Sequence, residues 1–152
     1  MKLCGVLLGE QNSHEAGLAL LESLYGSPLP EICRTARGKP YFADSSVHFS
    51  ITHTPRHVFC VLSQRPVGID AEELDRPIKL ELAEKILSPG ELAQFHKAQD
   101  KRMALLTFWV LKEAAAKCTG EGIKFHHNHT DFSLDDPRVQ IRDGCLVAVI
   151  EE

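Results

Sequence analysis

Apolar positions along this chain recur with two different periods, and the changes between them mark out its elements. Leu3 to Leu8 is a short, nearly continuous apolar run, as expected of a buried strand. In the segment Ser13 to Tyr25, Leu18, Leu21, Leu24 and Tyr25 fall on one face at helical spacing. Asn12 or Ser13 can cap that helix, and Gly26 followed by Pro28 stops it. Val47 to Thr52 and Val58 to Ser63 read as two strands around the turn Thr54-Pro55-Arg56. Val67-Gly68-Ile69-Asp70 is an apolar strand that ends in an acid, and Pro77 closes the loop after it. Lys79 to Leu87 reads as helical, and Ser88-Pro89 starts another helix with proline at its first position. The longest helix runs from about Lys101 to Cys118, with Gly120 as its stop. Val139 to Arg142 and Cys145 to Ile150 are strands joined by Asp143-Gly144, a strong hairpin signal.

The same order of strand, helix and hairpin occurs twice, in residues 1–64 and again in 65–152. The openings Leu3-Cys4-Gly5-Val6 and Pro66-Val67-Gly68-Ile69 are weakly alike, which suggests an internal duplication. With 152 residues, 43% of them hydrophobic, the chain can build one compact unit without disulfides or a structural metal. Its five cysteines, Cys4, Cys33, Cys60, Cys118 and Cys145, are scattered and form no Cys-x-x-Cys, so they read as buried free thiols of a reducing compartment. No signal-peptide pattern opens the chain and no apolar run is long enough for a bilayer, so a cytoplasmic location is expected. A net charge of −4 counts against broad, non-specific binding to nucleic acid.

Three groups of residues carry candidate chemistry. In Gly68-Ile69-Asp70-Ala71-Glu72-Glu73, positions i and i+2 of an extended chain point the same way, so Asp70 and Glu72 present two carboxylates on one face. Hard oxygen ligands side by side suit magnesium; the plain alternative is a charged strand end. In Phe108-Trp109-Val110-Leu111-Lys112-Glu113-Ala114-Ala115-Ala116-Lys117, Glu113 and Lys117 stand one helical turn apart. They form either a surface ion pair or functional charges on a mostly apolar helix, where a bare buried charge is costly. The third group is Arg34, Arg37, Gly38, Lys39 and Pro40, followed by Ser50, Thr52 and His53. Such cations and hydroxyls suit a phosphate, although solvated charge and a structural histidine are also open.

Gly38-Lys39-Pro40, Phe49-Ser50-Ile51-Thr52-His53-Thr54, Val67-Gly68-Ile69-Asp70-Ala71-Glu72 and Phe108-Trp109…Lys112-Glu113-Ala114…Lys117…Gly120…Gly122 occur in that order. Over about residues 38–122 the chain resembles the 4′-phosphopantetheinyl transferase superfamily, as a compact member of the pseudo-dimeric, peptide-synthetase-activating type. Ser88-Pro89-Gly90-Glu91-Leu92 resembles the segment before the long helix of that family. The resemblance implies an α+β fold of two similar halves, each a small antiparallel sheet with a long helix packed on it, and a site in the cleft between them. Residues 1–64 would form one half, and 65–152 the half with the metal-binding and catalytic motifs.

It also implies roles. Asp70, Glu72 and Glu113 would hold magnesium; Lys39, Thr52 and His53 would contact the phosphates of coenzyme A, with Pro40 beside them; Lys117 would sit at the scissile phosphate. Glu113 and Lys117 would be the catalytic pair, with the choice of general base open. The chain is shorter than typical members and lacks most of the N-terminal cations for the adenine 3′-phosphate, for which Arg37 and Arg34 are the local substitutes. The implied reaction moves the phosphopantetheine arm of coenzyme A to a serine of an acyl or peptidyl carrier protein and releases adenosine 3′,5′-bisphosphate. A non-catalytic coenzyme A-binding protein of the same fold and a metal-dependent nuclease are the alternatives. One site between two halves of one chain implies a monomer. Lys85, Lys97, Lys101 and Arg102, with Leu92 and Phe95 as apolar anchors, offer a docking surface for an acidic carrier, or else a plain amphipathic helix. His126-His127-Asn128-His129 reads as an exposed polar loop in preference to a transition-metal site.

Overall fold

The computed structural model describes residues 1–122 and 131–152, so the His126–His129 cluster lies outside the described residues. The elements follow in the order β1 (Lys2–Leu7), α1 (Ser13–Tyr25), β2 (Ile32–Arg34), β3 (Pro40–Phe42), β4 (His48–His53), β5 (His57–Ser63) and β6 (Val67–Glu73). A 3-10 turn (Leu80–Leu82), α2 (Ala83–Ile86), α3 (Pro89–Lys97), α4 (Lys101–Thr119), β7 (Val139–Arg142) and β8 (Cys145–Glu151) complete the chain.

Two three-stranded antiparallel sheets carry the fold, in the orders β1-β5-β4 and β6-β8-β7. In each sheet the strand before the helix lies at one edge, the second strand of the hairpin lies in the centre and the first lies at the other edge. The α+β architecture of two similar halves is thus present, with α1 and α4 in corresponding places. Alternation along the strands explains the packing. Val58, Cys60 and Leu62 of β5 face Ala16, Leu20 and Leu21 of α1. Phe59 and Val61 of the same strand face Val67, Ile69 and Ala71 of β6 and Val147 and Val149 of β8. Leu146, Ala148 and Ile150 of β8 face Leu105, Leu111 and Ala114 of α4. Each sheet therefore has its own helix on one face and shares a core with the other sheet.

Helix α4 lies directly on the backbone of β6. A Cβ added at Gly68 would stand 2.0 Å from the carbonyl oxygen of Ala114 and 2.4 Å from the amide nitrogen of Cys118. The absence of a side chain at 68 is what permits this approach. Gly5, its partner in the weak sequence repeat, has a different neighbour, since its added Cβ would meet the Phe59 ring at 2.4 Å. Asp100 caps the start of α4 through Met103 N, and Gly120, at φ 73°, ends it.

One local expectation is corrected, and one element is added. The helix read over 79–87 is only a 3-10 turn and the single turn α2, because Leu87 and Ser88 are extended ahead of Pro89. Ser88 then caps α3 in a capping box with Glu91, whose side chain returns to the Ser88 amide. The small hairpin β2–β3 was not read from the pattern. It pairs Ile32 with Phe42 and Arg34 with Pro40, and its loop turns at Gly38, φ 89°. This hairpin carries Arg37 and Lys39 to the rest of the site.

Candidate active site

Strand β6 brings Asp70 under α4, where it is 6% exposed. Its Oδ1 accepts from Lys117 Nζ at 2.7 Å and from Thr52 Oγ1 at 3.2 Å, while Lys117 Nζ also donates to Thr52 Oγ1 at 3.1 Å. Its Oδ2 is buried and has no hydrogen-bond partner among the described residues. Burial pushes the Asp70 carboxyl above the usual carboxylate range, and the Lys117 charge opposes that shift without reversing it. Glu113 lies one turn before Lys117 on α4, and no side-chain hydrogen bond acts on its carboxyl among the described residues. Its carboxyl is raised by burial and then by the charge of Asp70. Glu72 is raised by burial first and by Asp70 as well, against Arg76. The charge of Asp70 thus raises both Glu72 and Glu113.

Glu72 has partners that the sequence did not reveal. Its Oε1 accepts from Trp109 Nε1 at 3.2 Å and pairs with the Arg76 guanidinium, which lies 5.7 Å from the centroid of the Trp109 ring. The i,i+4 spacing of Glu72 and Arg76 was a visible signal, but it spans a strand end and a loop.

Two cavities divide the candidates. The first, of about 290 Å³, is lined by Arg37, Lys39, Pro40, Ser50, Glu113 and Lys117, so both halves of the chain contribute to it. The second, of about 630 Å³, takes His53, Arg56, Glu72, Glu73 and Arg76. Thr52 and His53 are neighbours on β4 and point to opposite sides; Thr52 joins Lys117 and Asp70, and the exposed His53 opens on the second cavity. The cations of the first cavity are braced by the end of α4. Lys39 Nζ donates to the carbonyl of Cys118, which suits a cation at a helix C-terminus, and burial lowers its pKa. Arg37 donates to the carbonyl of Glu121 at 2.9 Å. Arg34 instead braces its own loop at the Gly38 carbonyl, 2.8 Å away.

Lys112 takes no part in this cluster. It forms a buried ion pair with Glu91 at 2.8 Å, and Glu91 also accepts from the amides of Ser88 and Phe132. One apolar anchor of the expected docking surface is corrected as well. Phe95 is 6% exposed and belongs to the core, so it offers no apolar anchor. Lys101 donates to the carbonyls of Phe95, His96 and Ala98, and Arg102 to those of Leu74 and Arg76. These two cations are committed to backbone carbonyls; Lys85 and Lys97 remain exposed.

Fold and site together define an α+β protein of two matching halves, with the half-buried Glu113 and the Asp70 partner Lys117 facing a cation-lined cavity to which both halves contribute. A model of the 4′-phosphopantetheinyl transferase superfamily matches residues 66–144. The chain belongs to that superfamily. It is 35% identical over 105 residues to the 4′-phosphopantetheinyl transferase gsp of Aneurinibacillus migulanus, covering 68% of this chain and 43% of that protein. It is 28% identical over 115 residues to a 4′-phosphopantetheinyl transferase of Bacillus subtilis, covering 74% and 48%. With psf-1 of Bacillus pumilus the identity is 32% over 111 residues, covering 70% and 47%. The chain spans about half the length of these curated relatives. Among the described residues, no helix is long and apolar enough to cross a membrane.

Proposed function

We propose that this chain transfers the 4′-phosphopantetheine arm of coenzyme A to a serine of an apo-carrier protein, with magnesium, and releases adenosine 3′,5′-bisphosphate. The observation that carries this is Oδ2 of Asp70, a carboxylate oxygen buried without a partner among the described residues, on a carboxylate paired with Lys117, which lines the first cavity together with Glu113. Buried polar atoms are ordinarily satisfied, so an orphan among raised carboxyls fits a missing cation. Asp70, Glu72 and Glu113 are all hard oxygen donors of the kind magnesium takes. Bound there, the metal would neutralise diphosphate charge.

The chain's own residues have distinct parts. Arg37 and Lys39, on the β2–β3 hairpin, bind phosphate oxygens in the first cavity; Pro40 lines the wall there, and Thr52 supplies a hydroxyl. His53 reaches the substrate from the side of the second cavity. Lys117 stabilises charge that develops at the reacting phosphorus. Glu113, whose side chain holds no hydrogen bond among the described residues, accepts the serine proton. The serine oxygen bonds to the β-phosphorus, and the bond from that phosphorus to the bridging oxygen breaks. The electron pair leaves with adenosine 3′,5′-bisphosphate. Such a transfer depends on positioning and charge neutralisation more than on covalent help from the protein.

Residues 1–64 and 65–152 act in this scheme as two halves of one unit, and a single chain holds one site. A cytoplasmic location goes with it, where coenzyme A and carrier proteins are found. The names of these relatives support the reaction class. The test incubates the full chain with coenzyme A, magnesium and apo-carriers of the fatty-acid, polyketide and peptide-synthetase types, and weighs the carriers by mass spectrometry. Gain of one phosphopantetheine arm is expected on at least one of them. Tight coenzyme A binding with no gain on any carrier would favour a non-catalytic binding protein.

A further inference from the structure

A second cluster of ligand-type side chains lies on the other face of β6. Asp70 and Glu72 point toward α4; Glu73 alternates to the face that holds Val67, Ile69 and Ala71 in the core shared by the two sheets. There Glu73, 4% exposed, meets His57 from the start of β5 and Cys145 from the start of β8. His57 Nδ1 stands 3.1 Å from Glu73 Oε1 and 3.5 Å from Cys145 Sγ, and one ligand atom from each of the three lies within 4.8 Å of the others.

We propose that His57, Glu73 and Cys145 form a zinc-binding site at the seam of the two sheets, separate from the Asp70 cavity. A tetrahedral zinc with bonds of about 2.0 Å to nitrogen or oxygen and about 2.3 Å to sulfur has edges of about 3.3 Å and about 3.6 Å between its ligands. The observed separations of 3.1 and 3.5 Å match those edges. One thiol, one imidazole and one carboxylate suit zinc and do not suit magnesium, which takes oxygen alone. The site is close to charge-neutral, since a thiolate and a carboxylate balance the dication, and buried charge must be balanced.

Glu73 Oε1 also accepts from Thr54 Oγ1 at 2.5 Å and from the Arg56 amide at 3.3 Å, contacts that the metal would share or displace. Arg56 Nη2 holds the other oxygen of Glu73, Oε2, at 2.9 Å and also pairs with Asp75 at 2.8 Å, which orients the carboxylate. Thr54, Arg56 and Glu73 line the second cavity, from which a water can complete the fourth position. Without metal the Cys145 thiol keeps its proton, since burial and then the charge of Glu73 push it up to about 12. Zinc binding releases that proton to solvent and leaves the His57 ring neutral, with its own proton on Nε2. The metal would tie β5 of the first sheet to β6 and β8 of the second.

The test uses the full chain stripped by a chelator and titrated with Zn²⁺ in competition with a chromophoric chelator, and with Co²⁺ as the spectroscopic probe. One equivalent of zinc is expected, with a sulfur-to-cobalt charge-transfer band in the near ultraviolet. Cys145→Ser, which removes the sulfur ligand itself, is expected to lose that band and to bind zinc much more weakly. Asp70→Asn should keep both band and affinity. X-ray absorption on the zinc-loaded wild type should show one sulfur among nitrogen and oxygen ligands, a readout that needs no variant to fold. Failure of the wild type to compete for zinc, a cobalt band that survives Cys145→Ser, or an absorption spectrum without sulfur would each overturn the site. The cluster would then be a hydrogen-bond network centred on Glu73.

Discussion

Lys117 Nζ lies 2.7 Å from Oδ1 of Asp70, while the other oxygen of that carboxylate is buried without a partner among the described residues. One side of Asp70 is thus neutralised within the chain and the other is left for a ligand. The lysine sits on α4 and the aspartate on β6, and Gly68 lets the two elements come close enough for the pair to form.

Lys117→Ala should separate chemistry from binding. Lost charge stabilisation in a transition state costs roughly 3 kcal/mol, so kcat is expected to fall about a hundredfold, with a much smaller change in coenzyme A affinity. Turnover at saturating substrate, together with calorimetric titration of coenzyme A, measures both. Preserved kcat would reduce the pair with Asp70 to a structural contact.

Lys39→Ala should do the reverse. Lys39 donates to the Cys118 carbonyl at the end of α4 and lines the first cavity. Its phosphate partner would not change charge during reaction, so the loss should appear as weaker coenzyme A binding with kcat largely retained. The same calorimetric titration reads this, and unaltered affinity would remove Lys39 from the binding surface.

Asp70→Asn should abolish transfer without weakening the metal-free fold. A carboxyl whose folded value is raised keeps its proton in the folded chain at a pH where the unfolded chain has lost it. It therefore favours folding at low pH and opposes it increasingly as pH rises through and above the usual carboxylate range. The neutral amide removes that penalty. At neutral pH and without metal, the variant is expected to melt at or above the wild-type Tm, with the gap closing toward acid pH. Magnesium should raise the Tm of the wild type and leave the variant unmoved. These are thermal scans across pH, and a variant that melts well below wild type in chelator would contradict the assignment.

Lys112→Met tests a residue that the motif placed beside Glu113 and the fold uses elsewhere. Its removal leaves Glu91 buried and unpaired, and such losses cost about 3–5 kcal/mol. Denaturant unfolding should show this loss. The double variant Lys112→Met with Glu91→Leu should recover part of it, because the uncompensated charge is then gone.

What the sequence shows of this protein follows from distance along the chain. The helix capped at Asn12 and the helix ending at Gly120 have strong local signals, and both occur. The β2–β3 hairpin has three-residue strands, one containing Pro40, and gives no period to read. Asp70, Glu113 and Lys117 were legible because their motifs resemble a family; their mutual field was not, since it joins β6 to α4. His57, Glu73 and Cys145 are even further apart, and nothing in the local pattern points from one to another. The joint contact of Arg76 and Trp109 with Glu72 is not legible in the sequence, because it brings a loop and α4 to the end of β6.

The central claim is that the cavity beside Asp70 and Lys117 carries out phosphopantetheinyl transfer. Its most direct test is a time course of apo-carrier intact mass, with coenzyme A and magnesium, for the wild type and Asp70→Asn side by side. The wild type should add one phosphopantetheine arm and lose that activity in excess chelator, and Asp70→Asn should add none while remaining folded. Equal mass gain by the two proteins, or gain that survives the chelator, would contradict it.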